Sequence, residues 1–308
     1  MLTVKAEAIA VFYSILLATL HRTKEVDHFL RRLACQTMRD FEVLVVDQNP
    51  DERLVEILRL YRDSFPIVHL RTAQGHSRAF NFGLRHATGK IVAFPDDDCW
   101  YDVDLLERVA RLFQDHPEYK GVTGREIVEP GFVSGGRWDA KSGVLTRSNI
   151  WRRAISFSMF LRRETAQRYE FDETLGVGAG TPWGAGEETD YLLRLVEDGS
   201  LVFYDPSLTI WHQGRSGPYT AQMYSKARSY AMGMGKVLRK HGYSMWSVAH
   251  HLVRPLGGAL QSLAVGHPEK ARYHWSVFAG RASGWHLTGD SLRERRARAL
   301  VSRSEDLS

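Results

Sequence analysis

Three carboxylates stand in a row at Asp96, Asp97 and Asp98. Adjacent like charges are costly unless a cation or water screens them. Their hard oxygen atoms suit Mg²⁺ or Mn²⁺, and such an ion could bridge a diphosphate. A solvated acidic turn, or a cap for the next helix, has the same composition. Position favours the cation, because the run directly follows the apolar stretch Ile91–Phe94. Asp47 has a similar setting after Phe41–Val46. It is either a turn residue with Asn49-Pro50 or an acceptor for a nucleotide base or ribose. Glu187, Glu188 and Asp190 open a helical stretch. There they either complement the helix dipole or present a general base beside a loop. His212 follows another apolar stretch, with Arg215 close behind. It is a structural histidine or a metal or phosphate ligand, and Arg215 could hold anionic oxygens.

The elements that must position these residues follow from periodicity. Tyr13–Thr19, Phe41–Val46, Ile67–Leu70 and Ile91–Phe94 read as strands. The first lies in a continuous apolar run, the pattern of a strand buried on both faces. Glu25–Ala34, Leu54–Tyr61, Ser77–His86 and Asp104–Phe113 read as helices between and after them, with Gly89 closing the third. Alternating strands and helices predict βαβ units and a mainly parallel sheet. Ligands of such sheets bind beyond the carboxyl ends of the strands, where Asp47 and Asp96–Asp98 fall. Residues 120–175 mix short strands and turns. Residues 176–186 predict a mobile glycine-rich loop, Glu187–Glu197 a helix, and Leu201–Tyr204 and Leu208–Trp211 two strands. The chain turns helical and basic from about Tyr219.

Length and composition bound the rest. A chain of 308 residues, 44% hydrophobic and 25% charged, has ordinary globular composition and room for a sizeable core. Cys35 and Cys99 form neither a disulfide framework nor a CxxC zinc pattern. The apolar run Ala8–Leu20 is too short for a span, which needs ~20 residues, and a buried strand accounts for it. The expected location is the cytoplasm or the inner face of a membrane. A dinucleotide fold is disfavoured because no GxGxxG follows the first strand. The glycine spacing before Lys90-Ile91 does not fit a phosphate loop, and GxSxG and HExxH are absent.

In order along the chain, five segments and a late histidine resemble the family 2 glycosyltransferases. Ser14–Arg22 is similar to the family's first-strand motif, usually SVIIPTYNR. Val45-Val46-Asp47 resembles VVDDGS, with Gln48-Asn49-Pro50 departing from it. Gly75–Gly83 resembles GxxxARNxG, and Ala93–Asp98 the DXD region. Gly186–Asp190, with Leu193-Arg194, resembles GEDxDLxxR, and His212 stands where the family often has a histidine. The resemblance covers roughly residues 12–216. It implies a GT-A fold, an α/β architecture related to the Rossmann fold. It also implies transfer of a sugar, with inversion, from a nucleotide diphospho-sugar in the presence of Mn²⁺ or Mg²⁺. Carried over by position, Thr19, Arg22, Asp47, Arg78, Asp96, Asp97 and Arg215 would bind the donor. Asp98, with Asp96 and His212, would hold the metal, and Trp183 and Trp211 would be platforms for the acceptor sugar, although Trp183 could equally pack its own loop. Glu188 stands where the family usually has its aspartate base, which leaves Glu187 or Glu188 for the task. Two other readings are a sugar-nucleotide nucleotidyltransferase and a non-catalytic nucleotide-sugar-binding module. The first would want a glycine-rich phosphate loop where His21-Arg22-Thr23-Lys24 stands. The second would lack an acid, yet every expected carboxylate is present.

The expected division is a catalytic domain over 1–217 and a basic helical extension over 218–308. Within the first, residues 12–115 would bind the nucleotide sugar and 116–217 the acceptor. Residues 216–308 hold 14 Lys/Arg against 5 Asp/Glu, out of a net charge of +5 for the whole chain. No nucleic-acid motif accompanies that charge, so nucleic acid is not expected as a partner. The expected partner is an anionic membrane surface, met by interfacial helices, with a saccharide or lipid-linked acceptor. Packing on the catalytic domain, or a homodimer interface, is the other use of such helices. Pro255 and Gly257-Gly258 are expected to break any long helix there.

Overall fold

The computed structural model describes residues 11–130, 132, 134, 136–214 and 217–287. The chain divides into two compact units, Met1–Glu173 with Glu188–Gly217, and Thr174–Glu187 with Pro218–Ser308.

The first unit opens with β1 (Tyr13–Thr19), α1 (Lys24–Leu33), β2 (Phe41–Asp47), α2 (Val55–Arg59), β3 (Ile67–Arg71), α3 (His76–Leu84) and β4 (Ile91–Ala93). It continues through β5 (Cys99–Tyr101), α4 (Leu105–Asp115), β6 (Gly121–Ile127), β7 (Gly143–Val144), β8 (Met159–Arg162) and α5 (Arg163–Ala166). The helix α6 (Glu187–Glu197) and β9 (Val202–His212) complete it, α6 taking its first residue from the other unit. Among the described residues the strands form one sheet, in the order β3-β2-β1-β4-β8-β6-β9-β5, with β7 beside β9. The pairs from β3 to β4 are parallel. β8 then enters antiparallel between β4 and β6, so the far half of the sheet is mixed.

Every residue of β1 and β2 is buried, which accounts for their largely apolar character, while the buried Glu42 accepts from Ser14 and Thr88. Tyr13, Ile15 and Leu17 share a core with Val26, Phe29, Leu30 and Leu33 of α1 and with one face of α4. On the other face, Leu16 and Val46 press against Gly83 of α3. Phe80, Phe94, Phe171 and Tyr191 pack ring on ring, at centroid separations from 4.1 to 5.5 Å.

Three local expectations change. Gly89 does not close α3, which ends at Leu84. A side chain at Gly89 would sit 2.4 Å from the Ser14 nitrogen, so close approach to β1 demands the glycine. The two strands expected around Asp205-Pro206 are one strand, β9, with a bulge in its pairing to β6. The Asp205 carboxylate accepts from the Ser207 amide there. β5, absent from the periodicity, is a three-residue strand paired to the end of β9.

The second unit holds α7 (Ala221–Lys240), α8 (Met245–Ala264), α9 (Pro268–His286) and the segment Thr174–Glu187. α7 and α9 cross closely, because Gly235, Gly280 and Gly284 lie where any Cβ would strike the partner backbone. α8 runs unbroken through Pro255 and Gly257-Gly258, contrary to expectation. Proline removes the hydrogen bond that the carbonyl four residues back, at His251, would accept. The Arg281 guanidinium of α9 donates to that carbonyl instead.

The segment 176–186 is not the free loop its composition predicts. The Gly184 amide donates to the Ser229 carbonyl, and the Ser229 hydroxyl donates to the Pro182 carbonyl, tying the segment to α7. Trp183 is only 4% exposed, with Lys236 Nζ 4.4 Å above its ring. That burial corrects its reading as a platform for sugar, since its ring is covered by its own unit.

Candidate active site

The carboxyl ends of β1, β4 and β9 bring together Thr19, Arg22, Asp96, Asp97, Asp98 and His212. β4 ends at Ala93, and the chain turns through Pro95 into the aspartate run, where Asp96 still bridges Ala18 of β1. Asp97 is buried and accepts from Thr19 Oγ1 at 2.6 Å and from Arg22 Nη1 at 2.6 Å. The same Arg22 nitrogen lies 2.6 Å from Asp98 Oδ2. One guanidinium therefore screens two of the three carboxylates. The turn that delivers it contains His21 in a left-handed conformation, φ 63°, with its amide donating to Asn49 Oδ1 at 2.7 Å. Such a conformation is unfavourable for a non-glycine residue and is held here by the hydrogen bond.

The other oxygen of Asp98 faces His212 Nε2 at 3.3 Å, and His212 Nδ1 lies 3.3 Å from the buried Glu126. Phe157 stacks on the imidazole with centroids 5.0 Å apart. Ser156 Oγ lies 3.3 Å from Asp96 Oδ1, and His76 Nε2 lies 3.8 Å from it. Asp96, Asp98 and His212 each offer one ligand atom, all within 4.8 Å of one another. Two carboxylates and an imidazole form a donor set suited to Mn²⁺ and acceptable to Mg²⁺.

The electrostatics of the cluster divide its acids. Burial pushes Asp96 up to about 6, and the imidazole of His76 only partly offsets it. Burial also pushes the Asp98 carboxyl up, but His212 and Arg22 overcome it and hold it at about 2. His212 is pushed down by burial and drawn up further by Asp98 and Glu126, to about 10. Asp97 is raised, chiefly by burial.

A cavity of about 310 Å³ opens beside Asp98 and His212, walled also by Lys24, His28, Trp100 and Glu129. Trp100 stacks on Trp211 across the β5–β9 pair, centroids 6.0 Å apart, while Trp211 Nε1 donates to Asp102 at 2.8 Å. Trp100 was not singled out from the sequence. An aromatic residue two positions beyond the aspartate run is the signal that could have found it. Glu126, Ser156 and His76 were missed as well, because they come from elements far apart in the chain.

The remaining candidates are placed as follows. Asp47 is fully buried, with Oδ1 accepting from Asn49 and Oδ2 2.9 Å from His69 Nε2. Arg78 is exposed, donates to Glu173 and Gln74, and forms no part of the cluster above. Asp190 is fully buried and lies 3.2 Å from Arg194 one turn on, which is a structural pairing. Glu187 is buried in the second unit, its carboxylate 3.0 Å from where a Gly176 Cβ would stand. Glu188 is the half-exposed acid of the three. Arg215 lies outside the described residues.

The family model described as glycosyl transferase family 2 matches residues 14–169, half of the chain, including all of β1 but its first residue, Asp47 and the aspartate run. The chain belongs to glycosyltransferase family 2. Among curated proteins, a PGL/p-HBAD biosynthesis glycosyltransferase of Mycobacterium bovis is 31% identical over 48% of this chain. The match spans 59% of that protein's length. An uncharacterized glycosyltransferase of Haemophilus influenzae is 28% identical over 62% of this chain and 64% of its own. Two solved structures share the GT-A fold. Staphylococcus aureus TarS in complex with UDP-GlcNAc has a TM-score of 0.58 at 15% identity, over 90% of this chain and 93% of that one. The mannosyltransferase PcManGT of Pyrobaculum calidifontis, with GDP-Man and Mn²⁺, has a TM-score of 0.57 at 16% identity, over 95% and 80%.

Proposed function

We propose that the protein is an inverting, metal-dependent glycosyltransferase moving a sugar from a nucleotide diphospho-sugar to an acceptor hydroxyl. The observation that carries this is the convergence of Asp96, Asp98 and His212 at the carboxyl ends of the strands, beside a cavity. Relatives that bind UDP-GlcNAc, or GDP-Man with Mn²⁺, on the same fold support it. Mn²⁺ or Mg²⁺ held by these three residues would supply Lewis-acid stabilisation of the departing diphosphate. Arg22 and Thr19 fix Asp97, and Arg22 fixes one oxygen of Asp98, leaving its other oxygen toward His212. Buried Glu126 lies against the far nitrogen of that imidazole and orients it. Arg22, with the base and ribose contacts expected of the strand ends, positions the donor.

Glu188 serves as general base. Its carboxylate takes the acceptor hydroxyl proton while the oxygen attacks the anomeric carbon from the side opposite the leaving group. The bond from that carbon to the diphosphate oxygen breaks, its electron pair stays on the oxygen, and the configuration inverts. Trp100, backed by Trp211, offers a flat apolar wall at the cavity for a sugar ring. The role is glycoconjugate or polysaccharide synthesis, with a saccharide or lipid-linked acceptor met at an anionic membrane surface.

A panel of UDP- and GDP-sugars, each with Mn²⁺, Mg²⁺ or chelator, tests the reading by thermal shift and nucleoside diphosphate release. One donor is expected to stabilise the protein and turn over only with metal. Binding and turnover of every donor unaffected by chelation would overturn the metal assignment.

A further inference from the structure

α8 presents two opposite faces. Its buried positions are Val248, Pro255, Ala259 and Ser262, spaced as one side of a helix. Trp246, Val253 and Leu260 recur every seven residues, half a turn away from that side. They are 87%, 63% and 61% exposed. Met245 and Leu263 widen the strip and are also exposed. The helix contains no Asp, Glu or Lys. A contiguous apolar strip on the outer side of a helix marks an interaction surface.

The charge around the strip selects the partner. Residues 218–287 carry nine Lys/Arg and a single acid, Glu269. Exposed Arg239 and Lys240 precede α8, and exposed Lys270 and Arg272 follow it, so cations stand at both ends of the strip. A second copy of the same face would bring like charges together. A polyanion without apolar groups would leave Trp246 and Leu260 in water. No described helix is long and apolar enough to cross a membrane.

We propose that α8 docks the helical unit on an anionic lipid surface. The helix lies in the plane of the interface, with Trp246, Val253 and Leu260 among the upper acyl chains. The flanking cations meet headgroup phosphates. The inference rests on the membrane-bound acceptor proposed above and adds which face makes the contact.

The test uses full-length protein with phosphatidylcholine vesicles and with vesicles that also contain phosphatidylglycerol. Binding to the anionic vesicles is expected to be at least about tenfold tighter and to weaken with salt. Brominated lipid should quench tryptophan fluorescence in the wild type. Trp246→Phe keeps the apolar surface, and should keep binding while losing most of that quenching. The triple change Trp246→Ser, Val253→Asp and Leu260→Asp should weaken binding by roughly 30-fold or more. Equal affinity for both vesicle types would overturn the proposal, as would quenching unchanged by Trp246→Phe. So would a triple variant that binds like wild type, or one that merely dissociates an oligomer. Trp246→Phe carries the test if the triple variant does not fold. Nucleoside diphosphate release with a soluble acceptor is measured alongside. Turnover without vesicle binding removes this inference and the membrane-surface setting of the acceptor but leaves the sugar transfer standing, whereas vesicle binding without turnover of any donor removes the proposed activity.

Discussion

At the rim of the sheet, each acid of the cluster has a cation or hydroxyl against it. Asp96 has Ser156 and His76, Asp97 has Thr19 and Arg22, and Asp98 has Arg22 and His212. In the helical unit, nine Lys/Arg of residues 218–287 share one acid. Burial works against charge in both places, with different outcomes. At Asp98 the partners win and the carboxyl is held at about 2. At Arg281 burial wins, with Arg254 adding to it, and the guanidinium falls to about 10. Charge that is gathered and paired is positioned for a small ligand. Charge that is spread and faces outward suits an extended surface.

The comparison breaks most sharply at Asp98. Asp98→Ala removes a proposed metal ligand and leaves Arg22 and His212 without a shared anion. Metal-dependent donor binding should fall by on the order of 10²–10³-fold, read by titration calorimetry with and without Mn²⁺. Donor affinity that survives the change would place the metal elsewhere.

Next in size is Glu188→Gln, expected to slow transfer by about 10²–10⁴-fold while leaving donor affinity in place. Glu187→Gln provides the contrast, because that side chain is buried in the second unit. It should lower the melting temperature and spare the chemical step. Rapid-quench measurement of single turnovers separates the two, and full turnover by the Glu188 variant would remove it as base.

Much of the parallel half of the sheet was legible because burial on both faces writes β1 and β2 as largely apolar runs. Strand ends then place Asp47 and the aspartate run on the ligand edge without any knowledge of side chains. What escaped has specific causes. β5 is three residues long and takes its register from β9, so it has no period of its own. Ser156 and Glu126 reach the cluster from elements 60 and 30 positions away from Asp96, which local pattern cannot relate. Trp183 stands in a segment whose glycines read as freedom, whereas the segment packs down on α7. Pro255 reads as a helix break, yet Arg281, 26 residues on, supplies the missing donor.

That last arrangement yields a prediction of intermediate size. Arg281→Met leaves the His251 carbonyl without its partner and should cost roughly 1.5–3 kcal/mol, the range for a hydrogen bond to a charged group. Pro255→Ala restores an amide that can reach the same carbonyl. The double variant should therefore be more stable than Arg281→Met alone. Chemical denaturation of the four proteins gives the coupling. Strict additivity would mean that Arg281 does not substitute for the proline's missing bond.

The smallest effect concerns acid. The His251 imidazole is pushed down to about 4 by burial, then by Arg281, His250 and Arg254. Its folded pKa thus lies below the unfolded value, and the unfolded chain takes up the proton first as pH falls. The stability tied to neutral His251 is complete above the ordinary histidine pKa, about 6.5, and drains away toward pH 4. Solvent at this half-buried ring reduces the loss to about 1 kcal/mol. Carboxylates titrate in the same window, so the measurement is a difference. His251→Gln, which cannot take up the proton, should show a shallower decline in melting temperature from pH 6.5 to 4 than wild type. Parallel declines would mean that the cations around Arg281 do not reach this ring, and that the helical unit tolerates its charge by exposure alone.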